Sequence, residues 1–169
     1  QGRLMFHSMD AAIGKETKKL WLFAGTGDYE NLVEKSQHKN LLLGISDERF
    51  PRFIKPPSAI SNISGVDDLL KCSNTTKDTT GVKCPHKLPA GTPKKVGWYI
   101  ELGDSKKVTA SPTVSGGVVY YPIFKPPPDS DKCGEGTATI CAVDDECGTN
   151  LSSLLGKHPK DDECHFVGI

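Results

Sequence analysis

Gly97-Trp-Tyr-Ile-Glu-Leu102, Val108-Thr-Ala-Ser-Pro-Thr-Val114, Ser115-Gly-Gly117 and Val118-Val-Tyr-Tyr-Pro-Ile-Phe124 follow one another closely in the second half of the chain. The runs 97–102, 108–114 and 118–124 are rich in β-branched and aromatic residues and have strand length, which predicts three strands in sequence. Gly116-Gly117 supplies the positive φ angles that a tight hairpin turn needs. Pro112 cannot donate to a ladder, so it marks the start or the edge of a strand.

Working outward from there, Thr137-Ala-Thr-Ile-Cys-Ala-Val143 reads as a fourth strand that ends at Asp144. Upstream, Lys19-Leu-Trp-Leu-Phe-Ala-Gly25 and Leu41-Leu-Leu-Gly-Ile45 are short apolar runs bounded by Gly25-Thr-Gly27-Asp28 and Ser46-Asp47-Glu48, lengths that suit buried strands. Helical signals are few. Asp67-Asp-Leu-Leu70 suits one short helix with acidic residues in its first turn, and Asn150 is placed to cap a helical turn over 151–155, closed by Gly156. His165-Phe-Val-Gly-Ile169 begins a further strand.

Short strands between turn signals predict an all-β architecture of hairpins or blades, with short helical turns. The expected organisation is one partial domain over 1–169, strand-rich in 18–46 and 97–169, with a polar loop or insertion over 47–96. A propeller blade takes roughly 40 to 50 residues and rings need four or more, so 169 residues offer three or four blades at most. The chain opens on Gln1 rather than Met, with Leu4-Met5-Phe6 close behind, and is expected to be a piece of a longer one.

With 21 Lys and Arg against 21 Asp and Glu, the formal net charge is zero, which excludes binding to nucleic acid by phosphate neutralisation. No run approaches the roughly 20 apolar residues of a membrane-spanning helix. Six cysteines fit an oxidising compartment, and their even number permits complete pairing, so an exported protein is expected. Cys72 and Cys84 bracket a stretch too polar for a core. A bridge between them would staple that loop and contribute about 3 kcal/mol in the chain-entropy model. The alternative is that each pairs elsewhere. Fifteen connectivities are formally open to Cys72, Cys84, Cys133, Cys141, Cys147 and Cys164.

Most catalytic and cofactor chemistry fails on spacing. Cys84-Pro-His86 and Cys164-His165 lack the Cys-x-x-Cys-His of haem attachment and the two close Cys pairs of structural zinc. Gly25-Thr-Gly27 has Glu30 where a dinucleotide fingerprint needs its third Gly, and no Gly-x-Ser-x-Gly elbow occurs. His7, His38, His86, His158 and His165 are scattered among turns and read as surface or packing residues. Trp21 and Trp98 sit inside apolar runs and are expected in the core. No cofactor is firmly implied. Calcium is the ion to consider, because Asp129, Asp131 and Glu135 resemble part of a calcium loop, although Cys133 stands where an oxygen ligand is needed.

Three of these segments, in order, resemble the PilY/PilC-type proteins of type IV pili: Leu20-Trp-Leu-Phe-Ala-Gly-Thr-Gly-Asp-Tyr29; then Gly97-Trp-Tyr-Ile-Glu-Leu102 with Lys107-Val-Thr-Ala-Ser-Pro-Thr-Val-Ser-Gly-Gly-Val-Val-Tyr-Tyr121; then Cys133 through Ala142-Val-Asp144 to Cys147-Gly-Thr149. The resemblance implies part of a modified, quinoprotein-like β-propeller with long disulfide-stapled loops. It implies an extracellular role at the cell surface in pilus assembly and adhesion, acting by binding rather than catalysis. The partners it implies are other segments of a larger parent chain, pilins or minor pilins, and a host or surface receptor. The family pattern favours Cys133 with Cys147 and leaves Cys141 for Cys164. The alternating Asp and Asn loop with which some members bind calcium is missing. Two alternatives remain open: a fragment of a quinoprotein-like dehydrogenase, and a strand-pairing subunit of an extracellular filament.

Overall fold

The computed structural model describes residues 4–28, 30–32, 39–51, 65–72, 84–88, 90–103, 105–128, 134–151 and 155. Among the described residues nine strands run in chain order: β1 (Asp10–Ile13), β2 (Leu20–Gly25), β3 (Leu41–Asp47), β4 (Leu70–Lys71), β5 (Gly97–Glu101), β6 (Lys107–Val108), β7 (Thr113–Ser115), β8 (Val118–Lys125) and β9 (Thr137–Asp144). The described residues contain no α-helix. Among the described residues the helical elements are two 3-10 turns, Val66–Asp68 and Pro85–Lys87, besides a single 3-10 residue at Leu155. None of the described helices is long and apolar enough to cross a membrane.

The strands form two open sheets. The first has the order β1-β2-β3-β5-β4, antiparallel except for the short parallel pair β4 with β5. In the second, β8 is central, with β9 along one side and β6 and β7 sharing the other. The single strand expected over 108–114 is thus two strands, interrupted around Pro112, which has no N–H to offer. The hairpin turn stands where Gly116-Gly117 predicts it, with φ of 61° and 85° and Ser115 opposite Val118. β1 was not apparent in the sequence, because Asp10-Ala-Ala-Ile13 has neither a long apolar run nor a clean alternation.

One core lies between the sheets. Trp21, Phe23, Leu42, Trp98 and Ile100 of the first sheet meet Val108, Val119, Tyr121, Ile123, Cys141 and Val143 of the second. Trp98 is fully buried and packs edge-on to Tyr121, ring centroids 6.4 Å apart. Gly44 lies directly opposite it on β3, and a Cβ there would fall 2.4 Å from the indole. Gly148, at φ 66°, also lies against the indole, where a Cβ would fall 2.6 Å away. The polar ends of both aromatics find backbone acceptors: Trp98 Nε1 donates to Asp145 O at 2.9 Å, and Tyr121 OH donates to Leu43 O at 2.8 Å. These bonds tie each sheet to the other, since an indole or phenol buried without a partner is costly.

β1 of the first sheet and β7 of the second also meet. The Asp10 carboxylate of β1 accepts the Val114 N–H of β7 at 2.8 Å, and Ser8 and Ser111 hydroxyls lie 2.8 Å apart. Further along, Val108 N donates to Thr26 O at 3.2 Å, where Gly25 and Gly27 leave room for Val108.

The disulfide pattern departs from expectation. Cys84 is bonded to Cys147, 63 residues away, and Cys72 is a free thiol. The local Cys72–Cys84 staple is therefore not formed. The Cys133–Cys147 pair implied by the family pattern is excluded too. Sequence proximity favours short loops, but sheet packing brings the 84 turn against the end of β9 and sets Cys72, at the end of β4, beside that bond. Cys141 is also disulfide-bonded.

Candidate functional site

The sharpest convergence of chemically active side chains is at one corner, where four segments meet. These are the β1–β2 turn (Gly14–Lys19), the end of β4, the 3-10 turn Pro85–Lys87, and the turn Asp144–Gly148 after β9.

The last turn is built by Asp144, whose Oδ1 accepts the N–H groups of Glu146 at 3.0 Å and Cys147 at 2.7 Å. That Asx arrangement drives the Glu146 side chain inward, where it is 3% exposed. Its carboxylate accepts Glu16 N at 3.0 Å on one oxygen, and Thr17 N at 3.0 Å with Thr17 Oγ1 at 2.8 Å on the other. Thr17 Oγ1 in turn accepts Trp21 Nε1 at 3.0 Å. Gly14 is required here, because a Cβ would fall 1.8 Å from Glu146 Oε1.

Glu16 reaches across the corner to the 3-10 turn. Its Oε2 is 3.1 Å from His86 Nε2 and 2.5 Å from Lys87 Nζ. The hydrogen bond from Lys87, then that from His86, holds its carboxyl below the usual range. Asp145 goes the other way: burial first, then the neighbouring Asp144 and Glu146 charges, push it up to about 6. Beneath the turn lie the buried Cys84 and Cys147. The Cys72 thiol donates to Cys147 O at 3.1 Å, and burial pushes it up to about 12, so it stays protonated.

Two donor sets result, and both use His86. Glu16, His86 and Glu146 offer ligand atoms within 4.8 Å of one another, and so do Cys84, His86 and Cys147. In the first, both carboxylates are already engaged by protein donors. In the second, the two sulfurs are consumed by the disulfide. Cys84 and His86 apart, the sequence separates the members of each set by 60 positions or more, which is why no ligand spacing is visible there. Only the pair Cys84-Pro-His86 carried any signal.

The expected calcium ligands Asp129 and Asp131 lie outside the described residues, as do Cys133 and Cys164, and Glu135 is exposed before β9. The helical turn expected over 151–155 lies largely outside them as well, and Asn150 instead bridges to Val143. Trp21 and Trp98 are in the core as expected.

No protein-family model matches this sequence, and no curated protein matches it. Among solved structures, the chain is similar to the C-terminal domain of Pseudomonas aeruginosa PilY1, with a TM-score of 0.62 and 16% identity over 89% of this chain. It spans 33% of that chain. At that identity the likeness establishes the architecture: this is a mostly β chain with a PilY1-like fold.

Proposed function

We propose that this chain is an extracellular, pilus-associated module, a portion of a PilY/PilC-type β-propeller that serves adhesion and pilus assembly by binding rather than catalysis. Its partners in this reading are other segments of a longer parent chain, pilins or minor pilins, and a surface receptor. The observation that carries the reading is the fold likeness to the PilY1 C-terminal domain across 89% of the chain. The side-by-side placement of β1 and β7 supports the propeller part. β1 belongs to the first sheet and β7 to the second, and the hydrogen bond from Val114 N to the Asp10 carboxylate joins them, a contact of the kind that neighbouring blades around an axis make.

The test is the native assembly recovered from the cell surface, resolved without boiling and identified by mass. Co-migration of this chain with pilins or with further propeller segments is expected. A stable, solitary 18.3 kDa species at the surface would overturn the reading. The same preparation addresses two further points. Bound quinone absorbance would favour a dehydrogenase fragment, and a rise in melting temperature on returning Ca2+ after chelation would assign calcium to the chain.

One observation favours a strand-pairing role within this reading. β1 is the end strand of the first sheet, and Leu4, Met5, Phe6, Met9 and Ile13, in it and before it, are all exposed. An apolar strand edge is a template for another strand.

A further inference from the structure

We propose that Glu16, His86 and Glu146 bind a hydrated divalent ion of the zinc class, in the place that the Lys87 ammonium now holds. The proposal is independent of the pilus reading.

The donors stand together in the folded, disulfide-bonded chain, with no bond to break. A carboxylate oxygen from each glutamate and a His86 ring nitrogen lie within 4.8 Å of one another. Zn–N and Zn–O bonds of about 2.0–2.2 Å put tetrahedral donors roughly 3.4 Å apart. Glu16 Oε2 and His86 Nε2, at 3.1 Å, are already close to that spacing. An imidazole beside two carboxylates suits zinc and its first-row neighbours, whereas Ca2+ and Mg2+ take oxygen ligands.

Each glutamate has capacity left for a metal. An ionised carboxylate offers about four lone-pair sites. Glu146 gives two on Oε1 to Thr17 N and Thr17 Oγ1 and one on Oε2 to Glu16 N, which leaves one on Oε2. Such bonds orient a carboxylate in the way that outer-shell donors orient metal ligands. The Glu16 side chain is met by His86 and Lys87 alone among the described residues, both on Oε2. The Cys84–Cys147 disulfide joins the residue before the His86 turn to the residue after Glu146, so the imidazole and the buried carboxylate are held facing each other.

Charge favours a cation. Lys87 feels the negative charges of Glu16, Asp144 and Glu146, and its Nζ is 2.5 Å from Glu16 Oε2. The Lys87 side chain is half exposed, so the ammonium can swing into water as the ion enters. His86 binds as the neutral imidazole, with its proton on Nδ1 and the Nε2 lone pair towards the ion. Two positive charges thereby replace one among the same carboxylates, and water completes the coordination.

The experiment titrates the full 169-residue chain, disulfides intact, with Zn2+ by calorimetry and with Co2+ by absorption, and repeats the titration with Mg2+ and Ca2+. One Zn2+ per chain should bind and raise the melting temperature, and the same concentrations of Mg2+ or Ca2+ should do neither. The cobalt form should show ligand-field bands without sulfur-to-cobalt charge transfer. His86→Asn and Glu16→Gln should each weaken binding by about tenfold or more. Glu16→Gln keeps the backbone N–H that caps Glu146, so its ion-free melting temperature should match the parent's and separate lost binding from lost fold. Lys87→Gln removes the competing ammonium and should tighten binding several-fold, which a purely structural role for the corner would not do. Four results would overturn the proposal: no Zn2+ bound by the parent chain, affinity unchanged in His86→Asn and Glu16→Gln, weaker binding by Lys87→Gln, or a sulfur-to-cobalt band, which would place the ion on cysteine.

Discussion

Trp98 donates its indole N–H to the carbonyl oxygen of Asp145 at 2.9 Å, joining the centre of the first sheet to the turn that ends the second. The same turn carries Glu146 and Cys147, so the buried tryptophan and the polar corner belong to one structural unit. Perturbing either should be felt by the other.

Gly44→Ala tests the packing of that unit. The added methyl would fall 2.4 Å from the Trp98 ring, which Gly148 also approaches closely. A loss of about 2 kcal/mol or more is expected, read as a lower midpoint in urea with an unchanged slope. A variant as stable as the parent would mean that the ring has room to shift.

Glu146→Gln tests the cap on the β1–β2 turn. The carboxylate satisfies two backbone N–H groups and the Thr17 hydroxyl, and the amide nitrogen of Gln can accept none of them. The expected cost is about 1–3 kcal/mol, with faster amide exchange at Glu16 and Thr17. Unchanged exchange at both would show that the turn stands without its cap.

Asp145 gives a pH signature opposite to that of a salt-bridged carboxylate. Its folded value of about 6 lies above the ordinary 3.8, so between those limits the folded chain binds more protons than the unfolded one. Stability contributed by this group therefore falls as pH rises from about 4 to 6 and is lost above that window. Asp145→Asn should flatten the decline and leave the variant more stable than the parent at pH 7. An identical pH profile for the two would remove Asp145 as the cause.

Cys72 should label slowly. Burial and a thiol pushed up to about 12 leave almost no thiolate at pH 8, so iodoacetamide should modify it only after denaturant is added. Peptide maps of the native chain should show Cys84 joined to Cys147 and Cys72 unmodified. Rapid native labelling of Cys72 would contradict its position beneath the corner.

The strands of the second half were legible because their signals are local. Alternation and β-branching mark 97–102 and 118–124, and two adjacent glycines specify a turn that only positive φ allows. β1 was not legible, since Asp10–Ile13 is a strand chiefly because β2 offers it a ladder and its Asp10 carboxylate finds the Val114 N–H. β4 is two residues long and exists only as a parallel addition to β5.

The sequence by itself determined the β class, the zero net charge, the buried tryptophans and the order of segments that resembles PilY/PilC-type proteins, because each depends on neighbours in the chain or on composition. Tertiary structure alone decided the rest. Loop lengths favour Cys84 with Cys72, yet the packing of the two sheets carries Cys147 to it across 63 residues. The same packing gathers Glu16, His86 and Glu146, and sets Trp98 against Gly44 and Gly148. Contacts of that kind are made by core burial between distant segments, and core burial leaves no mark in the spacing of the residues it brings together.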